Sequence, residues 1–207
     1  GVQQVLNLVF GLMLARILDA SDYGMVGMLA IFSAIASTIQ ESGFTAALTN
    51  QKEIRHEDYN AVFWFSTLTG VSFYLILFFC APLIAQFYDK PELIGLSRIV
   101  FLSFLFGGFG IASNAYMFKT LMVKERAKID IISLICSGTI GVLLALNGFA
   151  YYGLAIQTTA YIGIGSMLKF CYSPWTPTFL IDWRPLKSMI RFSSKLIVTN
   201  VFTQISN

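Results

Sequence analysis

The chain has 207 residues, of which 56% are hydrophobic and only 12% are charged, with a mean hydropathy of +0.70 and a net charge of +3. An ordinary soluble domain is about one quarter charged, so this composition argues against a soluble enzyme and indicates an all-α, polytopic transmembrane helix bundle. The basic residues form no dense stripe, and no nucleic-acid partner is expected.

Apolar runs of about 20 residues, the length that crosses a hydrocarbon core about 30 Å thick, predict the transmembrane helices. They cover residues 2–18, 23–40, 60–88, 93–118, 129–146 and 152–170, and a seventh run begins near residue 190. The connections contain residues that start or end helices: Asp19 and Asp22 are N-cap candidates for the second helix, Pro91 precedes the fourth, and Gly148 follows the fifth.

These runs divide the chain into three parts. Residues 1–171 are predicted to form a first six-helix bundle, residues 172–189 a cytoplasmic linker with a short interfacial helix, and residues 190–207 the start of a second bundle. Trp175 and Trp183 suit a membrane interface. Because the chain starts at Gly1 and ends at Asn207, each within an apolar run, we expect it to be a fragment.

The distribution of Lys and Arg predicts the orientation in the membrane. The connections after the first, third and fifth segments, with the adjoining helix ends, hold three of these residues, and the other connections hold eleven. Because basic residues are enriched on the cytoplasmic side, the second, fourth and sixth connections and the N-terminus are expected to be cytoplasmic.

Amide side chains occur within several predicted spans. Gln3 and Asn7 are four residues apart and share one face of the first helix, and Gln157 lies in the sixth. A polar side chain inside a membrane needs a protein or water partner. These amides either join neighbouring helices by hydrogen bonds or line a hydrated central cavity.

Two charged residues lie near helix ends. Arg16 lies near the predicted outer end of the first helix, where it either extends to the interface or meets an anionic group in a cavity. Glu41 lies near the inner end of the second helix, as a solvated carboxylate or as a titrating group on a coupling-ion path. Because the two residues are predicted to lie about a membrane thickness apart, no salt bridge between them is expected.

Glycine is concentrated in the fourth helix, at Gly107, Gly108 and Gly110. Small residues at such positions favour close helix packing over a bending point. The sequence contains no recognisable catalytic motif or phosphate-binding loop. His56, the only histidine, lies in a charged loop and is not expected to bind a metal, and no cofactor is predicted.

The order and spacing of short motifs resemble the polysaccharide, or O-antigen-type, flippases of the multidrug/oligosaccharidyl-lipid/polysaccharide exporter superfamily. The resemblance covers essentially the whole chain, as its N-terminal part. The motifs are Leu14-Ala15-Arg16-Ile17-Leu18, Asp22-Tyr23-Gly24, Glu41-Ser42-Gly43-Phe44, Phe63-Trp64, Ala81-Pro82-Leu83-Ile84-Ala85, Asn147-Gly148-Phe149, Gly153-Leu154-Ala155-Ile156-Gln157, Trp183-Arg184-Pro185 and Phe192-Ser193-Ser194-Lys195-Leu196.

The resemblance implies two six-helix bundles that face a central cavity. It implies alternating-access transport of a polyprenyl-diphosphate-linked oligosaccharide across the bacterial inner membrane, during the biosynthesis of a polysaccharide such as lipopolysaccharide. The expected partners are this lipid-linked substrate and membrane lipid, with a polysaccharide polymerase and assembly proteins as further candidates. For this role Arg16 is the candidate cation for the diphosphate, Asn7 and Gln157 are candidate polar lining, and Glu41 is the candidate coupling carboxylate.

Three alternatives remain open at this point. A drug/cation antiporter of the same superfamily needs acidic groups deep in the bundle, and the hydropathy pattern predicts no Asp or Glu at mid-span. A membrane polymerase or ligase needs charged outer loops, which are short here. A non-transporting component of a polysaccharide assembly complex is the third.

Overall fold

A computed structural model describes residues 2–41 and 54–179, excluding the side chains of residues 35, 38, 39 and 41. These residues form six α-helices and no strand, which confirms the predicted all-α bundle. The helices are α1 (Val2–Ile17), α2 (Ala20–Glu41), α3 (His56–Phe87), α4 (Leu93–Lys119), α5 (Val123–Leu146) and α6 (Ala150–Tyr172). The predicted interfacial helix, with Trp183, and the seventh segment lie outside the described residues.

Three of the described helices, α3, α4 and α5, are both long and apolar enough to cross a membrane. Helix α1 is apolar but has 16 residues. Helices α2 and α6, with 22 and 23 residues, have the length of a span and contain polar residues in their interiors.

The helix ends follow the local sequence. The Asp19 backbone N–H donates to Asp22 Oδ2 at 3.0 Å, which is half of a capping box at the start of α2. After α5, Gly148 adopts φ +86° and the Phe149 N–H donates to the Leu144 carbonyl at 3.0 Å. This left-handed turn is the C-terminal stop that Gly permits, as the sequence predicted.

Helix α5 begins six residues before the predicted apolar run, at Val123 rather than residue 129. The added residues include charged ones, with Glu125 in the first turn, where an acidic side chain stabilises the helix dipole. Hydropathy predicts where the apolar run begins, but the helix can begin earlier, in charged residues. The consequence is that Asp130 lies about two turns inside α5 instead of at its start.

Helices α4 and α6 are central to the bundle. Helix α4 packs extensively on α3 and α6, α6 packs on α5, and α1 packs mainly on α5. Phe101, Leu93 and Leu96 of α4 are fully buried in a core that also includes Leu29 of α2 and Ala155 of α6. A smaller cluster joins Leu14 and Leu18 to Val142 and Ala145 of α5.

Helices α3 and α4 cross closely at Gly70 and Gly108. A Cβ on Gly108 would lie 2.6 Å from the Ser66 carbonyl oxygen, and one on Gly70 would lie 2.5 Å from the Phe104 carbonyl oxygen. The Gln40 side chain of α2 is buried at this crossing and donates to the Phe104 carbonyl at 2.8 Å. These contacts support the packing interpretation of the glycines in α4.

Residues 173–179 leave α6 and lie against the first turns of α3. The Thr178 N–H donates to Asn60 Oδ1 at 2.9 Å, and the Trp64 indole N–H donates to the Thr178 carbonyl at 2.8 Å. Trp175 is buried beside Tyr59 and Phe63. We call residues 173–179 the docked segment.

Replacing Asn60 with alanine is expected to speed hydrogen exchange of the Thr178 amide by roughly threefold to tenfold, because the amide loses its acceptor. Hydrogen-exchange mass spectrometry of the docked segment measures this. Asn147→Ala is the matched control, since the Asn147 side chain donates to the Leu143 carbonyl at the end of its own helix and not to the docked segment. Unchanged exchange in Asn60→Ala would contradict the docking.

Candidate functional site

Helices α1, α5 and α6 enclose a cleft that contains two of the predicted site residues. Asn7 of α1 and Gln157 of α6 both line it, and its volume is about 370 Å³. We call it the Asn7–Gln157 cleft. Its other lining residues are Phe10, Gly11, Leu14, Tyr23, Leu134, Ser137, Leu154, Thr158 and Tyr161.

Helical spacing explains why these residues share the cleft. Asn7, Gly11 and Leu14 follow one face of α1 at intervals of four and three residues. On α6, Leu154, Gln157, Thr158 and Tyr161 follow one face in the same way. The prediction that Gln3 and Asn7 share a face is confirmed, because Gln3 Nε2 lies 3.5 Å from the Tyr161 hydroxyl and Tyr161 lines the cleft with Asn7.

Glycines of α5 allow close contact on both sides of this cleft. A Cβ on Gly141 would lie 2.8 Å from Oε1 of Gln157, and one on Gly138 would lie 2.6 Å from the Phe10 ring. The Gln157 side chain therefore lies across α5 at Gly141. It is half-buried, so it has both a packing contact and access to the cleft.

Arg16 does not line this cleft. It is nine residues from Asn7, and at 3.6 residues per turn nine residues make two and a half turns. Arg16 therefore lies on the opposite face of α1, where it is exposed. Its position in the last turn of α1 also suits the helix dipole.

Glu41 is the last residue of α2; its side chain lies outside the described part of the chain. The preceding residue, Gln40, is buried at the crossing of α3 and α4. The structure thus brings Asn7 and Gln157 together and places Arg16 elsewhere.

A second cleft, between α4, α5 and α6, was not predicted from the sequence. Lys169 Nζ lies 3.9 Å from Asp130 Oδ1, and both side chains line a cleft of about 340 Å³. We call it the Asp130–Lys169 cleft. Asn114, Tyr161 and Ser166 also line it, together with Gly107, Gly110, Ile111, Ile162 and Gly165.

Sequence reasoning missed this pair because Asp130 was placed at the start of one span and Lys169 at the end of another. The charged stretch from Lys124 to Lys128 could have indicated the longer helix, since Lys, Glu and Arg are good helix formers. A longer α5 moves Asp130 inward, where a carboxylate needs a partner.

The two clefts lie end to end along one face of α6. Tyr161 lines both of them. The lining residues of α6 run from Leu154 to Lys169, which at 1.5 Å per residue is about 22 Å. One polar stripe of α6 therefore extends over much of the length of a membrane span.

Among the described residues, no three His, Cys, Asp or Glu side chains come together as a metal site would require. The His56 ring instead lies 5.8 Å from the Trp175 ring, between centroids. The polar groups that line the two clefts are amides, hydroxyls, one carboxylate and one ammonium group. Together they can donate and accept hydrogen bonds, which suits a polar organic ligand.

Comparison with known proteins gives a consistent result. Residues 13–207 match the family described as "Polysaccharide biosynthesis protein". The chain is 25% identical over 167 residues to the teichuronic acid biosynthesis protein TuaB of Bacillus subtilis, covering 78% of the chain and 34% of TuaB. It is 27% identical over 182 residues to the succinoglycan biosynthesis transport protein ExoT of Rhizobium meliloti, covering 87% of the chain and 36% of ExoT.

The lipopolysaccharide biosynthesis protein WzxC of Escherichia coli is 27% identical over 120 residues, which cover 58% of the chain and 23% of WzxC. The chain thus spans about a third of the length of these relatives, or less. No solved structure gives a significant match.

Proposed function

The chain belongs to the polysaccharide biosynthesis protein family, and from this premise we propose that the full-length protein is a flippase. It moves a polyprenyl-diphosphate-linked oligosaccharide from the cytoplasmic to the outer leaflet of the bacterial inner membrane by alternating access. The observation that supports this most directly is the Asn7–Gln157 cleft, which has amide and hydroxyl groups between apolar helices.

The chemistry of the substrate requires such groups. A sugar loses its hydrogen bonds to water when it enters the membrane, and each unpaired polar group costs several kcal/mol. Amides both donate and accept hydrogen bonds, so Asn7 and Gln157 can replace water around sugar hydroxyls. The cleft is therefore the proposed sugar contact.

The diphosphate requires a cation, and Arg16 is our candidate because a guanidinium binds phosphate oxygens in a bidentate manner. Since Arg16 and Asn7 lie on opposite faces of α1, the proposed site has two parts. A lipid-linked oligosaccharide is long enough to contact both. Glu41, at the end of α2, remains the proposed coupling carboxylate.

A drug/cation antiporter is the second candidate function, and Asp130 is the observation that favours it. Asp130 supplies the carboxylate inside the bundle that the hydropathy pattern did not predict. The Lys169 ammonium group beside it offsets the negative charge of the Asp130 carboxylate, and Asp130 is therefore a weaker site for a cation. The flippase proposal therefore stands first.

The proposed topology has the N-terminus in the cytoplasm, following the distribution of basic residues. The proposed partners are the lipid-linked oligosaccharide and membrane lipid, with polymerase and assembly proteins on the same pathway.

Deleting the gene for the full-length protein is expected to cause lipid-linked oligosaccharide to accumulate in the cytoplasmic leaflet, because the substrate is made but not moved. The measurement is leaflet-resolved labelling of the lipid-linked sugar in spheroplasts. Accumulation in the outer leaflet would instead indicate a defect in polymerisation, and unchanged leaflet distribution with polymer lost would indicate an assembly component.

Matched variants link this experiment to the cleft. Gln157→Leu removes the amide from the cleft, and Gln86→Leu makes the same change at an exposed position of α3. Only Gln86→Leu is expected to restore the distribution in the deletion strain. Full restoration by Gln157→Leu at an equal protein level would remove Gln157 from the proposed site.

A further inference from the structure

The Asp130–Lys169 cleft has the features of a binding site that the proposed transport cycle does not use. We propose that it binds the headgroup of a zwitterionic phospholipid that carries a primary ammonium group, namely phosphatidylethanolamine. The ammonium group lies at Asp130 and Asn114, and the phosphate lies at Lys169 and Tyr161. This inference does not depend on the flippase proposal.

The charged pair is partly exposed in the cleft. The Asp130–Lys169 distance of 3.9 Å is longer than the 2.7–2.9 Å typical of a direct charge-assisted hydrogen bond. The side chains of Lys169 and Asp130 are 22% and 28% exposed, respectively. A carboxylate has about four acceptor positions, and the Lys169 contact accounts for one of those at Asp130.

Asn114 adds a second acceptor in the same cleft. Its Oδ1 atom is buried and has no hydrogen-bond partner in the described part of the protein. Leaving a buried acceptor unsatisfied costs about 1–3 kcal/mol, so a donor at this position is favourable. A primary ammonium group carries three N–H donors, enough to reach both Asp130 and Asn114.

The opposite charges select the class of ligand. A purely anionic headgroup would meet the Asp130 carboxylate, and a simple cation would meet the Lys169 ammonium group, so each is repelled by one member of the pair. A zwitterion satisfies both. A choline headgroup has the same charges but no N–H, so it cannot donate to Asn114.

The cleft has space and a suitable apolar surrounding. Gly107, Gly110 and Gly165 line it without side chains. Met167, Phe170 and Phe109 adjoin lining residues in sequence and are exposed, so they are available to acyl chains. Lys169 lies in the last turn of α6, near the end of the helix, where a headgroup is expected.

The test is native mass spectrometry of the full-length protein titrated with phosphatidylethanolamine, phosphatidylcholine and phosphatidylglycerol that have the same acyl chains. The wild type is expected to retain phosphatidylethanolamine best. Asp130→Asn is expected to lower its retention by roughly tenfold, as for the loss of one charge-assisted hydrogen bond, and to favour phosphatidylglycerol, because Lys169 remains. Lys169→Gln is expected to lower the retention of phosphatidylethanolamine and of phosphatidylglycerol alike.

Lys128→Gln is the matched control for Lys169→Gln, because Lys128 is exposed on α5 and does not line the cleft; it should leave retention unchanged. If the ion pair has only a structural role, the variants should destabilise the protein equally in all three lipids and leave the order of lipid retention unchanged. That outcome overturns the proposal. Equal retention of the three lipids by the wild type also overturns it. Displacement of the lipid by equimolar soluble phosphoethanolamine would assign the site to the free ester and refute the lipid.

These outcomes are independent of flipping. Lipid retention is measured on purified protein without substrate, whereas the flippase proposal is tested by the leaflet position of the lipid-linked sugar. A failure of one is therefore distinguishable from a failure of the other.

Discussion

Arg16→Ala in the full-length protein is expected to lower polymer export about a hundredfold, to the background of the deletion strain. The guanidinium is the proposed partner of the substrate diphosphate, and alanine leaves that charge without a counterion in the membrane. Insertion and protein level should not change, because Arg16 is exposed and lies outside the described core clusters. Export is measured as surface polymer per unit of membrane-inserted protein.

Two further variants make this result specific. Arg16→Lys keeps the charge but loses the bidentate geometry, so it should restore part of the export. Lys90→Ala, at an exposed position in the α3–α4 connection, removes a cation at the same predicted membrane side and should export normally. Normal export by Arg16→Ala would exclude Arg16 from the site and leave the Asn7–Gln157 cleft as the only proposed substrate contact.

Gly108→Leu is expected to destabilise the bundle by at least about 1–3 kcal/mol, the usual cost of adding volume to a packed core. Its Cβ would press on the Ser66 carbonyl, and the Ser66 hydroxyl donates to the Gly108 carbonyl at 2.8 Å across the same crossing. The added side chain would meet the backbone of α3, which cannot move aside as a flexible side chain could. Thermal unfolding of the purified protein in detergent measures the loss.

Gly27→Leu is the control for this substitution. Gly27 lies inside α2 and is exposed, and a Cβ there would meet no atom within 4 Å. Gly27→Leu adds the same side chain to a helix at a position where no other helix crosses closely, so the Tm of this variant should stay near that of the wild type. If both variants unfold at the same temperature, α3 and α4 do not pack at Gly108 as described.

The number and order of the helices in the described residues could be predicted because the length of an apolar run is a property of local sequence. Gly148 illustrates this, since a left-handed residue after α5 depends only on neighbours along the chain. The start of α5 at Val123 was missed for the converse reason. Charged residues can continue a helix beyond the apolar run that hydropathy detects.

The partners across helices could not be predicted. Asp130 and Lys169 are 39 residues apart in sequence, and their contact depends on how α5 and α6 are rotated against each other. Hydropathy does not determine that rotation in a helix that is apolar on most sides. Arg16 differs from this pair, because its position opposite Asn7 follows from a spacing of nine residues on one helix and could have been predicted.

The docked segment determines where a pull on the C-terminal side of the chain would act. Asn60 accepts a hydrogen bond from the Thr178 N–H, and Trp64 donates one to the Thr178 carbonyl. A force applied to the chain after residue 179 therefore acts on α3 before it acts on α6. Helix α3 is joined to α4 at the glycine crossing, and the pair would receive that load together. Displacements of later parts of the polypeptide would thus act first on α3 and α4, and would reach α6 and its polar stripe through the packing of α6 on α4.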